Sequence, residues 1–313
     1  MKIGVVGCGN VGSASAFSCV MSGVGNELVL VDHDHALAQA QAGDILHATP
    51  FAKGMPVYAG DYDALEGCGI VMITAGVNQK PGETRLDLLK RNTDIFAKIV
   101  PQILAAAPGS ILLVATNPVD IMTHITANFA REAGHPDGKV IGSGTILDTA
   151  RFRTLIAQHL GVSSHSVHAH VLGEHGDSEV LHWSGASVSN QTLDHFAQQL
   201  NKPVTPAVKA QIDDGVRRAA YHIIKGKGAT WFGIGSGMAR LARAVVSDEN
   251  GVATCSTPLK QVEDITDVTL SLPHLINAQG VSQVIWPTLS AEEHMLLKRS
   301  ATILKEALHS IGF

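Results

Sequence analysis

The chain has 313 residues, 45% of them hydrophobic and 16% charged, with 23 Lys plus Arg against 28 Asp plus Glu for a net charge of −5. At roughly 100 to 200 residues per domain this length predicts two domains, and the composition excludes a disordered chain. No basic block exists to neutralise a run of phosphates, no apolar run reaches the ~18 residues of a membrane span, and the glycine motif close behind Met1 leaves no room for a secretion signal, so neither nucleic acid nor a membrane is an expected partner.

Short apolar runs alternate with amphipathic stretches over the first 143 residues. KIGVVG leads into a small-residue helix over 11–21, ELVLVD into a helix over 36–46, GIVMITAG into a helix over 86–107, and SILLVATNP is followed by KVIGSG. Apolar strands alternating with helices predict a Rossmann-type, doubly wound parallel sheet covered on both faces. The texture changes after Gly144. TILDTARFRTLIAQHLG has helical periodicity, VHAHVLGEHGDSEVLHWSGASV is strand-rich, and a long helix is expected over 206–224. GKGATWFGIGSGMARLARAVVSD breaks and restarts that helix, three antiparallel strands follow, and LSAEEHMLLKRSATILKEALHSI closes the chain as a helix. The expected division is a dinucleotide-binding domain over 1–144 and a mixed α+β catalytic domain over 145–313. Cys8, Cys19, Cys68 and Cys255 lie far apart without C-x-x-C spacing, which fits reduced thiols in a cytoplasm and predicts neither disulfides nor a metal site.

Gly7-Cys8-Gly9-Asn10-Val11-Gly12 has the spacing G-x-G-x-x-G between a strand and a helix. Gly7 suits the tight turn, Gly9 the approach of backbone to a pyrophosphate, and Gly12 close helix–strand packing. The motif alone is weak, but the next strand ends at Asp32, twenty residues past Gly12, where a carboxylate can accept from a ribose diol. A 2′-phosphate would meet that carboxylate with no Arg or Lys beside it, so NAD is favoured over NADP. Tyr62, near the end of the third strand, is a candidate wall for the adenine.

Two segments near the boundary carry chemistry. In LDTAR, Asp148 and Arg151 share a helix face by their i, i+3 spacing, a pattern that on its own is more often a surface ion pair. In GEHGDSE, His175 stands beside Gly173 and Gly176, which thin the wall around its ring. An Asp148 carboxylate on one ring nitrogen would fix the tautomer and raise the imidazole pKa, suiting His175 to exchange a proton near neutral pH.

Taken in order, GCGNVG, NQKPGETRLDLLKRN, VATNPVD, GSGTILDTARFR, GEHGDSE and GATWFGI resemble the bacterial lactate dehydrogenase branch of the lactate/malate dehydrogenase family, over most of the chain. The resemblance implies a proton donor and acceptor at His175, oriented by Asp148, and a two-pronged grip of Arg151 on the substrate carboxylate. It implies that Arg85 polarises the ketone from a mobile loop, and that Asn117, Thr230 and Ile234 line the substrate and nicotinamide. Gly76, Val77, Ala115 and Ser143 would complete the NAD contacts. Malate dehydrogenases resemble the chain too, but place an Arg where Gln79 stands. A second carboxylate enclosed there without a counter-charge would cost several kcal/mol, so pyruvate and L-lactate are the expected substrates. Arg153 and His168 match positions that bind fructose 1,6-bisphosphate at a subunit interface in many bacterial members, and a homotetramer is implied. Leu37 and Lys98 depart from the family pattern near the adenine. A chain that kept this fold and lost catalysis would show damage among Arg85, Asp148, Arg151 and His175, and all four are present.

Overall fold

The computed structural model describes residues 1–77, 82 and 84–313, with residue 85 described in its backbone. The first half runs β1 (Lys2–Val6), α1 (Asn10–Ser22), β2 (Glu27–Val31), α2 (His35–Ala48), β3 (Val57–Ala59), β4 (Cys68–Ile73), α3 (Arg85–Ala106), β5 (Ile111–Val114), α4 (Val119–Glu132) and β6 (Val140–Gly142). These strands are parallel in the order β6-β5-β4-β1-β2-β3. β5 is buried at every position and β1, β2 and β4 at nearly every one, as strands covered on both faces must be. Local chemistry sets the helix ends. Asp34 accepts from the Ala36 and Leu37 amides to start α2, a Thr84–Asp87 capping box starts α3, and Gly23 in the left-handed region stops α1.

The second half runs α5 (Ile146–Leu160), β7 (Val167–His168), β8 (Val171–Leu172), β9 (Val180–Leu181), β10 (Ser187–Val188), β11 (Gln191–Thr192), α6 (Leu193–Gln199), α7 (Pro206–Arg217), α8 (Ala219–Lys227), α9 (Phe232–Val246), β12 (Gly251–Val262), β13 (Ile265–Asn277), β14 (Gly280–Val284) and α10 (Ala291–His309). The helix expected over 206–224 is broken at Arg218, which separates α7 from α8. The strand-rich middle consists of two-residue pieces.

The two halves share one sheet. β12 lies antiparallel beside β6 and extends the parallel strands into β13 and β14, giving a nine-stranded sheet among the described residues. The joint is the single pair Ser256 and Gly142, two residues before Gly144, whose positive φ of 49° turns the chain away from the sheet. One face of the sheet packs on α3, α4 and α10 through Phe96, Ile103, Ile125 and Leu304, and the other on α1 and α9 through Val20, Met238 and Leu241. α9 lies so close to α1 that a side chain at Gly235 would meet the Ala14 backbone. A third core under α5 and α7 gathers Phe152, Ile156 and Val216, with Trp183 edge-on to Phe152 at 4.7 Å. α5 starts four residues after β6, which sets its first turn near the end of the parallel strands.

Candidate active site

The site lies at the carboxyl ends of the parallel strands, beside the point where strand order reverses at β1. Gly7 follows β1 with φ 99°, and a Cβ there would meet the Ala75 Cα at 2.6 Å. The Gly7 carbonyl accepts from Thr74 Oγ1 at 2.6 Å, which joins the turn to the end of β4. A side chain on Gly12 would strike the Gly7 carbonyl, whereas a Cβ on Gly9 would meet nothing within 4 Å. Gly9 caps α1 without any side-chain hydrogen bond, which leaves the first turn of the helix, Val11 included, without a side-chain acceptor from its cap. That is the cradle a pyrophosphate needs, and the residues present fit the dinucleotide.

Asp32, just past β2, is nearly buried. Its Oδ2 accepts from the Cys8 amide at 2.6 Å and its Oδ1 from the Asp34 amide at 3.0 Å, with His33 Nδ1 at 2.7 Å. The carboxylate therefore braces the glycine turn. Tyr62 lies on a 3-10 turn after β3, and burial together with the nearby Asp32 charge raises its phenol pKa. The four cysteines are free and buried.

Further along the strand ends, the Val77 amide donates to Asn92 Oδ1 at 3.0 Å, and Asn92 Nδ2 donates to the Asn117 carbonyl at 3.4 Å. Thr116 Oγ1 donates to the Ala75 carbonyl at 2.7 Å, and a Cβ on Gly76 would crowd the Thr116 methyl at 2.6 Å. Gly76, Val77, Ala115 and Asn117 are thus brought together around β4 and β5, and the Ser143 amide joins the row through the Val114 carbonyl at 2.7 Å. Asn92, buried in the middle of α3, was not legible as a site residue, since a polar residue on an amphipathic helix ordinarily faces water. Gln79 lies outside the described residues, and Arg85 is described only as the first backbone position of α3.

Across the cleft the chemistry converges on one carboxylate. Asp148, 2% exposed in the first turn of α5, receives His175 Nδ1 on Oδ2 at 2.5 Å and Arg151 Nη1 on Oδ1 at 2.8 Å. Burial opposes its charge, but the His175 and Arg151 cations more than offset that and hold the carboxyl below its ordinary range. His175 shows the converse. Burial alone would lower its pKa, yet the charge and hydrogen bond of Asp148, with Asp120 and Glu179 behind, raise it. Asp148 thus engages the Nδ1 side of the ring, and Nε2 is the other nitrogen able to exchange a proton.

Two further acids bear on this histidine and were missed in the sequence. Asp120, 2% exposed, accepts the His175 backbone amide at 2.7 Å, and burial pushes its carboxyl up to about 6. Glu179 is buried, its Oε1 has no hydrogen-bond partner among the described residues, and burial next to Asp148 raises its pKa. Thr230 and Ile234 lie half-buried on either side of the start of α9, and Ile234 packs against the core formed with α1. Arg153 projects from α5 with Nη2 3.5 Å from the Ser164 carbonyl, and His168 is exposed on β7. Burial lowers the pKa of His170, and the charges of His182, Arg153 and His168 add to that effect.

The chain matches two family models, the lactate/malate dehydrogenase NAD binding domain over residues 1–142 and the lactate/malate dehydrogenase alpha/beta C-terminal domain over residues 145–311. It is 56% identical to an L-lactate dehydrogenase of Thermus aquaticus over the full length of both chains, and 50% identical to one of Geotalea daltonii, again at full length. Among solved structures it superposes on a lactate dehydrogenase from a Medee basin deep-sea metagenome with a TM-score of 0.96, at 39% identity over 100% of this chain and 99% of that one. A minor L-lactate dehydrogenase of Enterococcus mundtii superposes with a TM-score of 0.94, at 36% identity over 99% and 98% of the two chains.

Proposed function

Because the chain belongs to the lactate/malate dehydrogenase family, as an NAD-binding oxidoreductase of the lactate dehydrogenase class, we propose that it interconverts pyruvate and L-lactate with His175 exchanging the proton. The observation that carries this reading is the Asp148 carboxylate, which holds a would-be proton donor and a would-be carboxylate clamp at once. Bound NADH supplies the transferable hydride, and the protein supplies placement and the proton.

Protonated His175 donates from Nε2 to the ketone oxygen of pyruvate, with its ring fixed through Nδ1. Arg151 presents its guanidinium to the substrate carboxylate, and because Asp148 takes only one of its amino groups the rest of the fork is left to bind. Arg85 meets the developing charge on the ketone oxygen, and Asn117 orients the same group from the end of β5. Thr230 bounds the pocket and Ile234 the nicotinamide face. On the cofactor side, Gly7, Gly9, Val11 and Gly12 hold the pyrophosphate, Asp32 the ribose diol and Tyr62 the adenine, while Gly76, Val77, Ala115 and Ser143 flank the nicotinamide half. We place the division between cofactor and substrate halves at residue 144.

Pyruvate is preferred to oxaloacetate because the neutral Gln79 offers no counter-charge to a second carboxylate. Arg153 and His168 would receive the phosphates of fructose 1,6-bisphosphate across a subunit interface, making the enzyme allosteric, and the proposed assembly is a cytoplasmic homotetramer. Exposed Phe17, Met21 and Phe232 line one cavity of about 490 Å³ between α1 and α9, an apolar face that supports self-association. The test is NADH oxidation with pyruvate and with oxaloacetate, each with and without fructose 1,6-bisphosphate. Pyruvate should give the higher kcat/KM and the bisphosphate should raise it, and Gln79→Arg should move the preference toward oxaloacetate. Faster turnover of oxaloacetate by the unaltered enzyme would overturn the substrate assignment.

A further inference from the structure

We propose that Asp120 is a positioning residue for the proton exchange, fixing the His175 segment and its charge from behind the ring; the inference rests on the assignment of His175 as the proton donor. Asp120 lies in the first turn of α4, three residues after Asn117 at the end of β5. Its Oδ2 accepts the His175 backbone amide at 2.7 Å, and its Oδ1 accepts the Ser256 hydroxyl from β12. The chain of contacts continues: Ser256 Oγ lies 3.1 Å from Ser271 Oγ on β13, and Ser271 Oγ accepts the Thr145 amide at 3.0 Å. Thr145 is the residue before α5, the helix that carries Asp148 and Arg151. Ser271 also exchanges both backbone hydrogen bonds with Gly173, at 2.8 and 2.9 Å, two residues before His175.

One buried carboxylate thus joins four segments that sequence keeps far apart: the end of β5, the His175 turn, the β12–β13 pair and the start of α5. Each member of the Asp148–His175 pair is referred to it, the histidine through its own amide and the aspartate through Ser256, Ser271 and Thr145. Enzymes lose rate steeply when catalytic groups drift by about 1 Å, so a rigid common reference behind the pair has direct value. The carboxylate is also a charge. His175 is faced by Asp148 from α5, by Asp120 from α4 and by Glu179 from its own segment, and Glu174 adds its charge at Asp120. An anion at Asp120 favours the imidazolium, the form that delivers the proton.

The structural alternative is that Asp120 only caps and fills. The experiment that separates the two is an NMR titration of the His175 imidazole in the NADH-loaded enzyme, together with the pH profile of kcat/KM for pyruvate, in the unaltered protein, Asp120→Asn and Ser256→Ala. Asn keeps the shape and can still accept the His175 amide, its Nδ2 donating to Ser256 Oγ where the carboxylate accepted, and the negative charge is lost. The inference predicts that Asp120→Asn lowers the His175 pKa by roughly half a unit or more and moves the alkaline limb of kcat/KM down equally, while the low-pH plateau falls less than about threefold. Ser256→Ala leaves Asp120 charged where His175 titrates but cuts its tie to Ser271 and Thr145, so kcat should fall while the His175 pKa and the alkaline limb stay in place. If Asp120→Asn does not fold, Asp120→Ser, which also removes the charge, decides. A His175 pKa and a limb that stay in place when the Asp120 charge is removed, whatever happens to the rate, would overturn the inference. If the unaltered enzyme fails to turn over pyruvate, the substrate assignment falls, and the NMR titration still decides the role of Asp120.

Discussion

The two sides of the cleft are built from different material. On the cofactor side the recognising groups are mostly backbone, and residues matter there for what they omit: no Cβ on Gly9, none on Gly12, no side-chain cap on α1. On the catalytic side the groups are side chains drawn from α4, α5, the His175 segment and β12, held by buried hydrogen bonds centred on Asp148 and Asp120. A backbone site is specified locally and tolerates change in its surroundings. A side-chain site is specified by packing, and it fails when any one of several distant segments moves.

Four substitutions break this contrast at different strengths. His175→Asn removes the proton donor and should lower kcat for pyruvate reduction by ~10²- to 10⁴-fold, with NADH affinity by fluorescence titration held within about twofold. Arg151→Lys keeps a cation but loses the planar fork, so kcat/KM should fall roughly hundredfold, mainly through KM, in steady-state assays. The glycines separate binding from folding. Gly9→Ala should leave the melting temperature close to that of the parent while raising the Kd for NADH about tenfold, because only a ligand would meet the new methyl. Gly12→Ala drives its methyl into the Gly7 carbonyl and should cost about 1–3 kcal/mol in denaturant unfolding. Equal losses of stability in both variants would contradict the division drawn here.

The same division explains what could be read in the sequence. G-x-G-x-x-G and Asp32 are legible because the turn needs those residues at fixed spacing, and the alternating strands and helices follow from burial on both faces. His175, Asp148 and Arg151 stood out through flanking glycines and the i, i+3 spacing, but their roles were implied only by the family resemblance. Asp120 was not, since an acid in the first turn of a helix reads as an ordinary partner for the helix dipole. Asn92 and Ser256 were hidden for a similar reason: their partners lie in other segments, Val77 and Asn117 for one and Asp120 for the other. The antiparallel strands were recognisable, but not their union with the parallel sheet, because the joint is one pair, Ser256 with Gly142, and no local pattern encodes it. The break at Arg218 between α7 and α8 carries no Gly or Pro to announce it.

The central claim is that one carboxylate serves both the proton and the substrate. Since the folded pKa of His175 lies above its ordinary 6.5, the imidazolium persists past that value, pyruvate reduction is lost only as pH rises through the raised value, and lactate oxidation, which needs the neutral ring, gains over the same window. The most direct test is the pH profile of kcat/KM for pyruvate in Asp148→Asn. The account predicts that the alkaline limb moves to lower pH, that kcat falls by at least ~10²-fold, and that KM for pyruvate rises as Arg151 loses its anchor. A limb that stays in place with KM unchanged would contradict it.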